Sequence, residues 1–123
     1  MVWLLVALGG AAGSMLRYWI GRLAVDHISP ASVLGTFAVN VSGSFILGLF
    51  MTLALERLAI PAEIRNLVAI GFLGGYTTFS TQSYESIRLV ESGEVLRAGA
   101  SLLGNLVIGL AAAYLGVVLG RAV

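Results

Sequence analysis

The sequence predicts an all-α membrane protein with four transmembrane helices, the third of which is broken near its middle. Of the 123 residues, 59% are hydrophobic and only 11% are charged, and the mean hydropathy is +0.98. A soluble domain of this size cannot bury so much apolar surface, which indicates an integral membrane protein. Charged and turn residues divide the chain into four apolar segments, and we treat residues 1–123 as a single domain.

Each predicted span is long enough to cross about 30 Å of hydrocarbon. Ser29-Pro30 is a turn signal before the second span, and Pro61 opens the third. Closely spaced glycines recur in the spans, and they allow helix backbones to approach one another in lipid. The four spans run from Val2 to Ala24, from Val33 to Leu55, from Pro61 to Val90 and from Ala98 to Leu119.

The third span contains Gly74-Gly75 followed by Thr77-Thr78. Glycine and β-branched residues both weaken a helix interior. Backbone groups that a broken helix frees in lipid are tolerated only where protein or a water-filled cavity satisfies them. A broken membrane helix is typical of an ion or substrate site, so we expect the functional site here.

The arginines set little orientation bias. All seven basic residues are arginines, and four spans would place three of them on one side and four on the other. This balance gives almost no positive-inside preference. We therefore expect insertion in both orientations and an antiparallel dual-topology homodimer, which would also supply enough helices to enclose a pore. The alternative is a weakly biased protein of one orientation. The three arginines expected on one side of the membrane are Arg57, Arg65 and Arg121. The four expected on the other side are Arg17, Arg22, Arg88 and Arg97.

Uncharged polar side chains inside the spans are the candidate ligands. Asn40 lies in the middle third of the second span, where an unpaired amide is costly. It either joins helices or presents N–H donors to an anion. Ser101 and Asn105, four residues apart, form a second polar track on one face of the fourth span.

Around the expected break, Phe79 offers a ring edge with partial positive charge, which could contact a small anion, although packing or lipid contact is the alternative. The carbonyls of Gly74 and Gly75 could hold a cation. Hydroxyl groups of the same segment are candidate ion ligands, on Thr77, Thr78, Ser80 and Thr81.

Two charged residues border the expected site. Arg17 is the deepest charge of the first span, and its head group would snorkel to a vestibule and concentrate anions there. Glu85 lies at the mouth of the third span, where it could cap the helix, pair with an arginine or take part in a proton-linked step. There is no nucleophile–base pair, phosphate loop or metal-ligand cluster, so the sequence gives no support for an enzyme, and no basic face for nucleic acid.

The chain resembles the CrcB/Fluc fluoride channel family over essentially its whole length. The resemblance implies a channel that exports cytoplasmic fluoride passively across a bacterial-type inner (plasma) membrane, as a dual-topology dimer with two antiparallel pores that protects the cell from fluoride. It rests on three motifs in order: Gly9-Gly10-x-x-Gly13-x-x-x-Arg17-Tyr18, Gly35-Thr36-x-x-x-Asn40-x-x-Gly43-x-Phe45, and Gly71-Phe72-x-Gly74-Gly75-x-Thr77-Thr78-Phe79-Ser80-Thr81.

The resemblance also implies roles for individual residues. Asn40 and Phe79 match the pore asparagine and the first pore phenylalanine of the family. A central Na⁺ would be held by backbone carbonyls, which fall on Gly74 and Thr77. Arg17 matches the arginine of the first motif.

One position departs from the family pattern, because Gln82 stands where a second phenylalanine is usual. Its amide could still donate to an anion, so permeation is expected, with an altered rate or halide selectivity. Glu85 matches the acidic residue after the break, and Asn105 falls about where a pore-lining serine is common. Two other functions stay open: a small proton-coupled exporter, which needs an intramembrane carboxylate, and a non-conducting helper subunit of a heterodimer.

Overall fold

The computed structural model describes every residue, Met1–Val123, and all of its regular elements are helical. Three helices are long and apolar enough to cross a membrane, which confirms the predicted first, second and fourth spans as helices. The third predicted span is divided into shorter pieces. The elements are α1 (Val2–His27), α2 (Leu34–Thr52) continued by π-helical Leu53–Arg57, α3 (Ala62–Arg65) continued by π-helical Asn66–Leu73, α4 (Gly74–Tyr76), α5 (Phe79–Glu91) and α6 (Val95–Ala122).

The helices pack as two parallel pairs. The segment that begins at α3 runs alongside α1, and α6 runs alongside α2. At one end of the second pair, Asn40 bonds to Asn105. At the other end, both Nε and Nη2 of Arg121 donate to Glu56 at 3.1 Å. The ends of α2 and α6 therefore lie on the same side of the molecule, as an up-down-up-down order of four segments requires.

Glycines allow the paired backbones to touch. A methyl group on Gly13 of α1 would overlap the carbonyl of Phe72, and one on Gly48 of α2 would overlap the backbone of Ala113 in α6. In lipid, helices gain little by burying apolar area against one another, so close van der Waals contact of this kind holds them together.

The interruption in the third segment lies in the threonine half of the predicted weak segment, Gly74-Gly75 followed by Thr77-Thr78. Gly74 and Gly75 are helical, whereas Thr77 (φ −92°, ψ 156°) and Thr78 (φ −154°, ψ 119°) have extended backbones. The Thr77 N–H still bonds to the Leu73 carbonyl at 3.0 Å, which closes the last turn of the preceding helix. The Thr78 side chain then accepts from the Thr81 N–H at 3.2 Å and caps the start of α5.

Two of the three buried residues of α5 are polar, whereas its exposed residues include large apolar side chains. Its buried residues include Gln82 and Ser86, while Phe79 and Ile87 are 78% and 59% exposed. A soluble amphipathic helix has the opposite arrangement. The exposed apolar face is suited to contact with lipid or another chain, and the polar face lines the interior.

Candidate functional site

A cavity of about 570 Å³ lies between α2, the extended Thr77–Thr78 segment and α6. Three carboxamide side chains reach it from three different helices, and we call it the amide cavity. They are Asn40 of α2, Gln82 of α5 and Asn105 of α6. The remaining wall is largely apolar and contains no charged residue. The structure thus brings together three of the predicted anion ligands that are far apart in sequence.

Asn40 joins α2 to both neighbouring segments. Its Oδ1 accepts from the Thr78 N–H at 2.8 Å, and its Nδ2 donates to the Thr78 carbonyl at 3.1 Å. The same Nδ2 donates to Asn105 Oδ1 at 2.9 Å. Thr78 has left the helical hydrogen-bond ladder, so Asn40 replaces the partners that its backbone lost.

The other two carboxamides differ in how they are satisfied. Asn105 is 8% exposed, and its Nδ2 donates to the Ser101 carbonyl one turn earlier at 2.9 Å. Gln82 is only 6% exposed and lines the amide cavity; its backbone carbonyl accepts from Ser86 Oγ at 2.8 Å, whereas its side-chain amide bonds to no protein group. The N–H groups of Gln82 and the second N–H of Asn105 Nδ2 are free to donate at this site.

Of the predicted pore residues of α5, Phe79 lines the amide cavity and Thr81 a second one. Ser80 lines neither of these cavities, and its hydroxyl lies 3.3 Å from that of Thr78. Gly74 and Thr77, the predicted cation ligands, both border the amide cavity. The Thr77 carbonyl accepts no hydrogen bond.

The second cavity, of about 330 Å³, is lined mostly by polar residues, and we call it the vestibule cavity. It includes both predicted vestibule residues, Arg17 and Glu85, together with Arg22. Arg17 Nε donates to the Gly75 carbonyl at 2.9 Å. Glu85 pairs with no arginine; its Oε1 accepts from the Thr36 hydroxyl at 2.8 Å, and its Oε2 is buried without a partner.

Thr78 is the residue that the two cavities share. Its backbone is held by Asn40, and its hydroxyl bonds to that of Thr81 at 3.0 Å. The sequence indicates Thr78 only as one candidate hydroxyl among several, and it predicts no role for Thr36. The signal for Thr78 was its place at the expected break; the contact of Thr36 with Glu85 has no signal in the sequence.

Comparison with known proteins identifies the lineage of this chain. Residues 4–117 match the family model described as CrcB-like protein, Camphor Resistance (CrcB). The chain belongs to the CrcB-like family. That match contains every residue of both cavities.

Curated CrcB-like relatives carry a functional name. A protein of Thermus thermophilus is 47% identical over 98% of this chain and 95% of its own length, and one of Rhizobium etli is 43% identical over 97% and 95%. Both are named fluoride-specific ion channel FluC. A Methylococcus capsulatus protein of the same name is 43% identical over 94% of this chain, which spans about half (51%) of that relative's length.

Proposed function

We propose that this protein is a fluoride-specific ion channel, not an enzyme, and that it lets fluoride leave the cell passively. The observation that carries the proposal is the 43–47% identity, over nearly the whole chain, with relatives named as fluoride-specific channels. The site geometry is compatible with that activity, because uncharged donors border a cavity between helices long enough to span a membrane. Its location would be a bacterial-type inner membrane.

The chemistry of the amide cavity suits a small, strongly hydrated anion. A pore must replace the water around fluoride with several close donors, yet must release the ion again. The Gln82 amide and the Phe79 ring edge are neutral donors that meet both requirements. A full positive charge would hold the ion too tightly, and Arg17 lies in the other cavity, where it can attract anions without trapping them in the pore.

A second copy of the chain would complete the pore. Phe79, Leu103, Leu106 and Leu110 line the amide cavity and are each 58–78% exposed in the single chain. Such an uncovered apolar wall supports contact with a partner. The near balance of arginines favours opposite orientations for the two copies, with the third segment of each acting as a broken membrane helix.

The residues at the interruption are suited to a structural Na⁺. Sodium prefers oxygen ligands, and carbonyls of unwound membrane helices are common donors for it. The Thr77 carbonyl has no hydrogen-bond partner and, with Gly74, borders the cavity that a second copy would cover. The backbone carbonyls of Gly74 and Thr77 from two chains would hold the ion. The Na⁺ charge would then neutralise the carbonyl dipoles that face the dimer centre.

A proton-coupled exporter is the second candidate, and Glu85 is the observation that favours it. Its Oε2 is buried without a partner inside the vestibule cavity, and a coupled exporter needs a carboxylate of this kind. The two functions differ in their dependence on a proton gradient.

The deciding experiment uses liposomes that contain only this protein and are loaded with potassium fluoride. A potassium ionophore supplies the countercharge, and a fluoride electrode follows release. We expect release without a proton gradient and no comparable release of chloride. Release that requires an imposed proton gradient would assign the protein to the exporters. If this chain alone releases no fluoride but does so with a co-expressed homologue, it is a helper subunit.

A further inference from the structure

The carbonyl of Gly75 is a backbone group that the helix interruption leaves without a helical partner. In a continuous helix it would accept from the N–H of Phe79, four residues later. The extended backbones of Thr77 and Thr78 prevent that bond. An unsatisfied carbonyl is costly within a membrane, so another donor must replace it.

Arg17 of α1 supplies that donor. Its Nε lies 2.9 Å from the Gly75 carbonyl oxygen, and Ser14 Oγ lies 3.5 Å from the same atom. The approach requires glycine at this position, because a Cβ on Gly75 would lie 2.6 Å from the Gly10 carbonyl. The backbones of α1 and α4 therefore touch where the arginine reaches the carbonyl.

Asn40 holds the opposite end of the same interruption. It bonds to the N–H and carbonyl of Thr78, three residues after Gly75. Two side chains on different helices thus replace the hydrogen bonds lost at Gly75 and Thr78. Thr78 in turn lines both the vestibule cavity and the amide cavity.

We propose that Arg17 is a positioning residue: its Nε–H fixes the Gly75 carbonyl and thereby holds Thr78 in place between the two cavities. This function adds to any attraction of anions by the guanidinium charge. The consequence for fluoride flux rests on the proposed channel function, whereas the consequence for backbone order does not.

Two substitutions separate the donor from the charge. In Arg17→Gln the amide nitrogen stands as many bonds from Cα as Nε does, so the donor is kept and the charge is lost. In Arg17→Met the hydrogen-bond donor and the charge are both lost, while the side chain keeps a similar length. Arg22 provides the matched control, because it lines the same cavity and pairs with Asp26 at 3.0 Å without contacting the interruption. Its Gln and Met variants remove the same charge.

Hydrogen–deuterium exchange of the purified full-length protein in lipid nanodiscs tests the proposal directly, with peptides that cover residues 74–82. A hydrogen bond from a charged donor contributes about 1.5–3 kcal/mol, which is roughly a ten- to hundredfold change in local opening. We expect Arg17→Met to accelerate exchange by about that factor, and Arg17→Gln and both Arg22 variants to remain close to the parent.

Flux provides the second readout. We expect Arg17→Met to lower the maximal fluoride flux. Arg17→Gln and the Arg22 variants should keep the maximal flux of the parent and only raise the fluoride concentration needed for half-maximal flux. Equal exchange in Arg17→Gln and Arg17→Met, whether both match the parent or both rise, would overturn the positioning role. If the parent conducts no fluoride, the channel proposal fails and the exchange comparison still decides the role of Arg17.

Discussion

The hydrogen bonds of Asn40 lead to a quantitative prediction for Asn40→Leu, which removes the amide at similar volume. Three groups would lose their partner: the N–H and the carbonyl of Thr78, and Oδ1 of Asn105. A polar group left unpaired in the interior costs about 1–3 kcal/mol. Because these groups border cavities that water can enter, we take the lower end, about 1 kcal/mol each and about 3 kcal/mol in total.

A loss of this size shifts thermal unfolding measurably. At roughly 3–4 °C per kcal/mol for a chain of this length, we expect the midpoint to fall by about 10 °C. Tryptophan fluorescence of the protein in detergent can follow the transition through Trp3 and Trp19. We also expect fluoride flux to fall at least about tenfold, which corresponds to about 1.4 kcal/mol on the barrier, because Thr78 would no longer be held.

Ser44→Ala is the matched control. Ser44 lines the same cavity, but its hydroxyl bonds only to the Asn40 carbonyl within α2, at 2.7 Å. We expect a midpoint shift below about 3 °C for this change. If Asn40→Leu unfolds within 3 °C of Ser44→Ala, the amide does not hold the interruption, and the reasoning from its three hydrogen bonds is refuted.

Three further predictions concern the pore, the packing and the topology. Gln82→Leu removes two uncommitted amide N–H donors from the amide cavity, so fluoride flux should fall roughly ten- to hundredfold, while Gln82→Phe should retain flux. A Leu variant that conducts like the parent would place Gln82 off the ion path. Gly48→Ala forces a methyl group into the Ala113 backbone, and it should cost about 1–3 kcal/mol in thermal unfolding. Gly99→Ala, where a Cβ meets nothing within 4 Å, should be neutral or stabilising; equal effects of the two would contradict the close helix contact. A single cysteine in place of Glu63, an exposed residue of α3, should react with a membrane-impermeant reagent from both sides of the membrane; labelling from one side only would exclude the antiparallel homodimer.

The amino-acid sequence by itself determined the class of the protein and the position of three spans. Hydropathy and the spacing of charges are local properties, so α1, α2 and α6 could be placed to within a few residues. The motifs around Arg17, Asn40 and Thr77 also predicted the family correctly.

The tertiary structure alone decided where the helical ladder stops. Local propensity marked Gly74-Gly75 and Thr77-Thr78 together as weak. The structure keeps both glycines helical, and the helical hydrogen bonds stop where Asn40 offers the Thr78 N–H an alternative partner. That partner lies 38 residues away in the chain, and no local pattern encodes which helix face will meet the interruption.

The partners of the charged residues were also decided by packing. The sequence left three roles open for Glu85, namely a helix cap, an arginine pair or a proton-linked step; in the structure its carboxyl group bonds to Thr36. The sequence placed the Arg17 head group in a vestibule, and the structure adds that its Nε bonds to the Gly75 carbonyl. The Arg17 contact depends on the close backbone approach of Gly75 to Gly10. Sequence periodicity shows which residues can face a neighbour, but only the three-dimensional packing brings a particular donor to a particular acceptor.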